Sequence, residues 1–246
     1  MDRWVDGSLV FSLKLAFEPS NLRTLEPNIH MINIQIKNKV LSKNDEIALR
    51  IRNLYKEKGI AALNLIGSPG SGKTALLEAT FKYLNGKLPC AVVEGDVKTE
   101  NDKIRIEATG VPATQIETEG SCHLNAEQVE KALSDLDLDK TKCLFVENVG
   151  NLICTTSYDL GEEYKTIVIS VAEGEDKPLK YPSAFTSTNV LVITKTDLAP
   201  YVDVDIEKLK ENALSINPKL KTFITSSKTS EGIEEFANFL LDISKE

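Results

Sequence analysis

From Ile47 onward the apolar residues Ile47, Ile51, Leu54 and Tyr55 recur at i, i+4, i+7 and i+8, the spacing of one helical face, and Gly59 ends the run. This pattern predicts a docking helix ahead of the main fold. Beyond it, short apolar runs at Ala61–Ile66, Ala91–Glu94, Cys143–Glu147, Ile167–Val171, Val190–Thr194 and Thr222–Thr225 read as strands. Amphipathic stretches at Thr74–Leu84, Ala126–Leu136, Ile206–Leu214 and Glu231–Ile243 read as helices between several of them. Near-continuous apolar strands separated by helices predict an α/β fold whose mostly parallel sheet is covered by helices on both faces. Ligands in such folds bind at the carboxyl ends of the strands. Upstream, Leu9, Phe11, Leu13, Leu15 and Phe17 alternate as a strand would, but Pro19 and Pro27 break the chain before a partner follows.

Composition narrows the functional classes. A chain of 246 residues with 41% hydrophobic residues can bury the core of one α/β domain, and neither a repeat nor a low-complexity linker divides it. A formal net charge of −8 gives no electrostatic footprint for a polyanion, so neither nucleic acid nor an anionic membrane is expected as a partner. The four cysteines, Cys90, Cys122, Cys143 and Cys154, are too scattered for a disulfide scaffold, and a nucleotide-binding chain belongs where thiols stay reduced. The expected compartment is the cytoplasm. No run of about 18 apolar residues occurs, and the Leu9–Phe17 stretch is interrupted by Lys14 with no basic region before it, a poor signal peptide.

The strand ending at Ile66 runs into Gly67-Ser68-Pro69-Gly70-Ser71-Gly72-Lys73-Thr74 and then a helix, the full GxxxxGK[ST] pattern in its strand-loop-helix context. Its glycines allow successive N–H groups to point at an anion, Lys73 offsets β- and γ-phosphate charge, and Thr74 is placed to give its hydroxyl to Mg²⁺. Two acids just past apolar strands, Asp96 and Glu147, are candidate partners for that ion. Glu147-Asn148-Val149-Gly150 has the form of a DxxG switch with Glu for Asp, which makes Gly150 the residue to sense a γ-phosphate. Thr194-Lys195-Thr196-Asp197 is close to the NKxD element by which GTPases read guanine, with Thr194 in place of Asn. Asp197 would accept from the guanine N1–H and N2 amino group, a donor pair that adenine lacks, and hydrogen-bonding sites of this kind reject the wrong analogue by about 10⁴-fold. Downstream, Thr225-Ser226-Ser227-Lys228 resembles the SAK loop beside the guanine carbonyl.

Cys122 and His123 are adjacent, and Cys154 lies seven residues after Glu147. Two thiols and an imidazole form a borderline-soft set suited to Zn²⁺ or Ni²⁺, although three ligands do not complete a tetrahedral site. Cys90 and Cys143, at the starts of apolar strands, read as small buried hydrophobes.

Taken together, Gly67-Ser-Pro-Gly-Ser-Gly-Lys-Thr-Ala-Leu-Leu, Glu94-Gly-Asp-Val, Cys122-His-Leu, Phe145-Val-Glu-Asn-Val-Gly-Asn-Leu-Ile-Cys154, Tyr158-Asp-Leu-Gly-Glu and Val171-Ala-Glu-Gly-Glu-Asp-Lys-Pro-Leu-Lys-Tyr-Pro182 resemble the HypB family of hydrogenase nickel-insertion GTPases. The resemblance runs from about Met31 to Ile243. It implies a SIMIBI-type P-loop G domain over residues 31–246 that dimerises with GTP and Mg²⁺, and it implies Ni²⁺ or Zn²⁺ on Cys122, His123 and Cys154 at the dimer interface. It further implies the nickel chaperone HypA and the [NiFe]-hydrogenase large-subunit precursor as partners. Three departures stand out. Residues 1–60 hold no Cys and one His, His30, so nickel storage is not expected; Thr155 stands where the family commonly has Pro; and Thr194 replaces Asn. Residues 1–30, ahead of the resemblance, read as a lineage extension or a misplaced start. The rival readings are the urease nickel-insertion GTPase, which usually carries Cys-Pro-His where this chain has Cys122-His123-Leu124, a P-loop small-molecule kinase, and a metal carrier gated by nucleotide without hydrolysis.

Overall fold

The computed structural model of the protein describes residues 43–96, 101–118 and 120–245. The Leu9–Phe17 strand, the extension at residues 1–30, its boundary near Met31, and His30 all lie outside the described residues. A helix over residues 43–58, here α1, precedes β1 (Ala61–Ile66), and Ile47, Ile51 and Tyr55 are buried on its inner face as their spacing predicts.

The order along the chain continues α2 (Lys73–Leu84), β2 (Cys90–Asp96), α3 (Asn101–Glu107), β3 (Ala113–Glu117), α4 (Ala126–Ala132), β4 (Cys143–Glu147) and β5 (Tyr164–Ser170). It closes with α5 (Lys177–Lys180), α6 (Pro182–Thr186), β6 (Val190–Thr194), α7 (Ile206–Ile216), β7 (Lys221–Ile224) and α8 (Ile233–Ile243). Among the described residues seven strands form one sheet in the order β3-β2-β4-β1-β5-β6-β7, and every pairing within it is parallel. Sequence periodicity finds six of them. The seventh, β3, carries Thr114 and Gln115 among its five residues, so an edge strand with polar positions gives no continuous apolar run. Helix α3 also escapes it, because Asn101-Asp-Lys-Ile-Arg-Ile-Glu107 buries only Ile106.

Alternate strand residues supply opposite layers, as the pleat requires. Leu63, Leu65, Cys143, Phe145 and Cys90 join α2 and α8 in one core, whereas Ala62, Leu144, Val146 and Val93 join α1 and α4 in another. A third cluster packs Ile66, Ile167 and Ile193 beneath α6 and α7. Cys90 and Cys143 are register partners within the first core, buried like the small hydrophobes the sequence suggests. Among the described residues no helix is long and apolar enough to cross a membrane.

Because all seven strands run the same way, the carboxyl ends of β1, β2, β4 and β6 deliver the motif-bearing loops to one edge of the sheet. Phe145 packs one of these strands against α2: fully buried on β4, it meets Phe81 of α2 edge-on at 5.4 Å between ring centroids. Phe145→Ala is expected to cost about 3–5 kcal/mol of stability by opening a cavity under α2. Urea denaturation checks this, and a loss under about 1 kcal/mol would mean that the two elements are held by other contacts.

Candidate functional site

The loop from Gly67 to Gly72 leaves β1 and opens α2, so the N–H groups at the start of a twelve-residue helix face the same space as the loop amides. Ser71 N–H donates to the Ser68 carbonyl at 3.1 Å, which closes the loop. A cavity of about 490 Å³ lies here, and Pro69, Gly70, Lys73 and Thr74 line it together with Glu147 and Gly150. Thr74 Oγ1 donates to Glu147 Oε1 at 2.8 Å. A Cβ at Gly150 would lie 2.9 Å from Pro69 Cγ and 3.0 Å from its Cα, so only bare backbone fits against the loop there.

Sequence reasoning missed three residues of this cavity. Glu94 is the register partner of Glu147 across β2 and β4, and Asp102 and Arg105 come from the polar helix α3. Asp96, the acid that sequence reasoning chose, ends β2 in main-chain register with Glu117. Burial and the neighbouring Glu147 charge push the Glu94 carboxyl up to about 10, and burial also raises Glu147 against the pull of Lys73. Among the described residues, Glu94 Oε1 and Glu147 Oε2 are buried without a hydrogen-bond partner. Two crowded carboxyl groups with free lone pairs, beside a threonine hydroxyl and Asp102, are a donor set that fits a hard divalent cation. Arg105 brings an arginine to the lining of this cavity, although sequence identifies no in-cis arginine finger. Its guanidinium lies 2.7 Å from Asp102 and 2.6 Å from Glu78, so acids on α3 and α2 already offset its charge.

A second cavity, of about 770 Å³, adjoins the first and gathers Thr194, Lys195, Asp197, Ser227 and Lys228 with Glu78, Lys82 and Tyr83 of α2. Asp197 Oδ1 accepts from Ser226 Oγ at 2.7 Å, and Lys228 Nζ stands 3.8 Å from Oδ2, so the two strand-end loops brace one another. Lys195 Nζ donates to the Gly70 carbonyl at 2.6 Å, and Thr194 Oγ1 lies 2.5 Å from the Ser71 carbonyl. The loop after β6 is therefore tied to the phosphate loop by two hydrogen bonds, one from the threonine that departs from the usual Asn.

Cys122, His123 and Cys154 meet on one flank of this edge, with their ligand atoms all within 4.8 Å of one another and Cys122 Sγ 3.5 Å from His123 Nδ1. A tetrahedral ion with bonds of about 2.0–2.3 Å needs ligand atoms about 3.6 Å apart, close to this spacing. His123 stacks on Tyr158 at 4.0 Å between centroids, and burial holds its pKa below the usual imidazole value. The hydrogen bond to Cys122 raises the Cys154 thiol. Cys154 opens a short 3₁₀ turn, Cys154–Ser157, whose first N–H groups are capped by Asn151 Oδ1, at 2.7 Å to Ile153 and 3.0 Å to Cys154. Asn151 itself forms an antiparallel bridge to Gly67, the first residue of the phosphate loop. Thr155, fully buried, donates to the Asn151 carbonyl at 2.6 Å, which accommodates the residue that replaces Pro.

Residues 61–224 match the family model of the CobW/HypB/UreG nucleotide-binding domain. The chain is 46% identical over 207 residues to the hydrogenase maturation factor HypB of Rhizobium leguminosarum, an alignment covering 84% of this chain and 69% of that one. It is similar to the crystal structure of HypB from Helicobacter pylori in complex with nickel, with a TM-score of 0.78 at 39% identity over 82% of this chain and 95% of that chain. HypB from Archaeoglobus fulgidus gives a TM-score of 0.78 at 37% identity, over 83% of this chain and all of that one.

The Thr194 tether can be tested by removing its hydroxyl alone. Thr194→Val leaves the Ser71 carbonyl without its buried donor and is expected to weaken nucleotide binding about tenfold, from roughly 1.4 kcal/mol of lost loop order. Thr194→Ser should stay within about twofold. Titration with a fluorescent nucleotide measures both, and equal affinity for wild type and Thr194→Val would remove the tether from the account.

Proposed function

The chain belongs to the CobW/HypB/UreG family, on its hydrogenase maturation factor HypB branch, and from that membership and the site geometry we propose that it is a GTP-hydrolysing metallochaperone that delivers nickel to a [NiFe]-hydrogenase large-subunit precursor. Residues 31–246 form the G domain in this reading, the two working copies form a homodimer on binding GTP, and the nickel chaperone HypA is the metal donor or co-carrier. The chain works in the cytoplasm. Lys73 and the loop amides hold the phosphates, and Asp197, Lys195, Ser227 and Lys228 read the base. Thr74 and Glu147, with Asp96 and Glu94, would hold Mg²⁺, which when bound offsets phosphate charge.

One observation carries the proposal. The segment from Glu147 to Cys154 touches the phosphate loop at three points: Glu147 at Thr74, Gly150 at Pro69, and Asn151 at Gly67. The same segment ends in a thiol that meets Cys122 and His123. A segment reordered by a γ-phosphate must therefore move a ligand of a soft metal site, which is the linkage that nucleotide-controlled metal delivery requires. The nickel complex of the H. pylori relative supports Ni²⁺ as cargo, with Zn²⁺ fitting the same ligands. Three ligands per chain leave the coordination incomplete, and a second copy bringing its own trio completes it. Hydrolysis is slow in this reading, because no Gln follows Gly150 and Arg105 is held by two acids until a partner rearranges them.

Two variants separate the two halves of the proposal. Asp197→Asn should lose GTP and gain xanthosine triphosphate, since the amide presents a donor where xanthine has a carbonyl. Competition binding with GTP, ATP and xanthosine triphosphate decides it, and wild-type protein that binds ATP as tightly as GTP would end the guanine reading. Cys154→Ala should weaken Ni²⁺ binding at least tenfold and leave GTP binding to the monomer within about twofold. Equilibrium dialysis with nickel, run beside nucleotide titration, measures both, and unchanged nickel affinity would take Cys154 out of the metal site.

A further inference from the structure

Cys122 and His123 do not lie on the switch segment; they come from the loop between β3 and α4, where Cys122 bonds Cys154 and His123 stacks on Tyr158, and the main chain behind them has its own link to the switch. The next residue, Leu124, is wholly buried and held from two sides. Its side chain rests on Gly95 near the end of β2, where a Cβ would lie 2.8 Å from Leu124 Cδ1. Its N–H donates to Asn148 Oδ1 at 3.1 Å. The same oxygen accepts from Val149 N–H at 3.0 Å, and Asn148 Nδ2 donates to Asn64 Oδ1 at 3.3 Å. Asn148 lies between Glu147 and Gly150, and its own main-chain N–H donates to Leu65 of β1 at 3.0 Å.

We propose that Asn148 is the positioning residue that transmits the state of the Glu147–Gly150 switch to the Cys122–His123 half of the metal site, through its hydrogen bond to Leu124 N–H. The inference rests on the nucleotide-coupled reading above and names the part that carries the coupling. The Asn148 side chain has only two torsions, and its bond to Val149 N–H locks it to the switch main chain, so its oxygen moves when the switch moves. Leu124 N–H must follow that oxygen or remain buried without an acceptor, a cost of about tenfold in the equilibrium between the two arrangements. Cys154 moves on the switch itself and Cys122 with His123 moves through Asn148, so both halves of the ligand set respond to one event. Apart from the direct bond between Cys122 and Cys154, other contacts of the loop run to elements outside the switch: Asn44 Oδ1 accepts from Ala126 N–H at 2.9 Å, and the Asn125 cap closes α4.

The chain has two histidines, His30 and His123, so histidine-labelled, metal-free protein gives two imidazole signals by NMR, assigned with a His30→Gln variant. At saturating GDP and then at a saturating non-hydrolysable GTP analogue, with occupancy confirmed by quantifying bound nucleotide, the wild-type His123 signal should shift. In Asn148→Ala that shift should fall to less than a third of its wild-type size. Asn64→Ala removes the acceptor of Asn148 Nδ2 and leaves the bonds to Leu124 and Val149 N–H; it should lower thermal stability while keeping most of the shift. If Asn148→Ala retains the full shift, or Asn64→Ala loses it equally, Asn148 has only a structural role and the proposal is overturned. A wild-type His123 signal that ignores the nucleotide would instead sink the nucleotide-coupled reading on which the proposal stands.

Discussion

The parallel register between β1 and β4 is the constraint on which the rest of the site depends. It sets Leu65 beside Glu147, so the loop leaving β1 and the segment leaving β4 emerge as neighbours. From that start the two chains stay in contact: Asn148 N–H reaches the Leu65 carbonyl, Gly150 lies bare against Pro69, and Asn151 bridges to Gly67. The loop after β1 and the Cys154 thiol are thus separated by a few residues of backbone with little slack. A slip of register would turn Glu147 from the carboxyl-edge cavity to the other face of the sheet.

Electrostatics explain why this edge suits a polyphosphate on a chain of net charge −8. Glu94 and Glu147 are packed side by side in a buried place, and burial raises both, which favours a proton or a cation between them. Lys73 stabilises the charged forms of both, and Arg105 is held in reserve by Glu78 and Asp102. The charge needed to hold phosphate is local, and the acidic surface elsewhere does not contradict it. The soft metal site is built on different physics. Stacking of His123 on Tyr158 and the caps from Asn151 orient the ligands before any ion arrives, which lowers the ordering cost of binding.

Much of the fold was legible because buried parallel strands leave a strong mark: β1, β4 and β6 match the apolar runs residue for residue. The phosphate loop, the Glu147–Gly150 element and the Thr194–Asp197 loop were legible because their chemistry depends on spacing within a few residues. Glu94, Asp102 and Arg105 were not, since an acid near a strand end and a polar helix look like ordinary surface until a cavity is drawn around them. The contact between His123 and Tyr158 spans 35 positions, and the acceptor role of Asn148 toward Leu124 spans 24. No local pattern encodes such pairs. Thr194 shows the opposite case: in sequence it is a departure from a motif, and in the fold it forms a tether.

In the proposed function nucleotide state and metal affinity are one equilibrium, joined through the Glu147–Cys154 segment, and nickel affinity in each nucleotide state tests that coupling. Competition with a chromogenic chelator gives the Ni²⁺ dissociation constant of the wild-type chain saturated with GDP and again with a non-hydrolysable GTP analogue, at fixed pH and protein concentration. The two constants should differ by at least about fivefold, the lower end of ordinary coupling between two sites, with the reciprocal change in nucleotide affinity on adding nickel. Equal nickel constants in the two states would contradict it, leaving a nucleotide site and a metal site that share a sheet edge and nothing else.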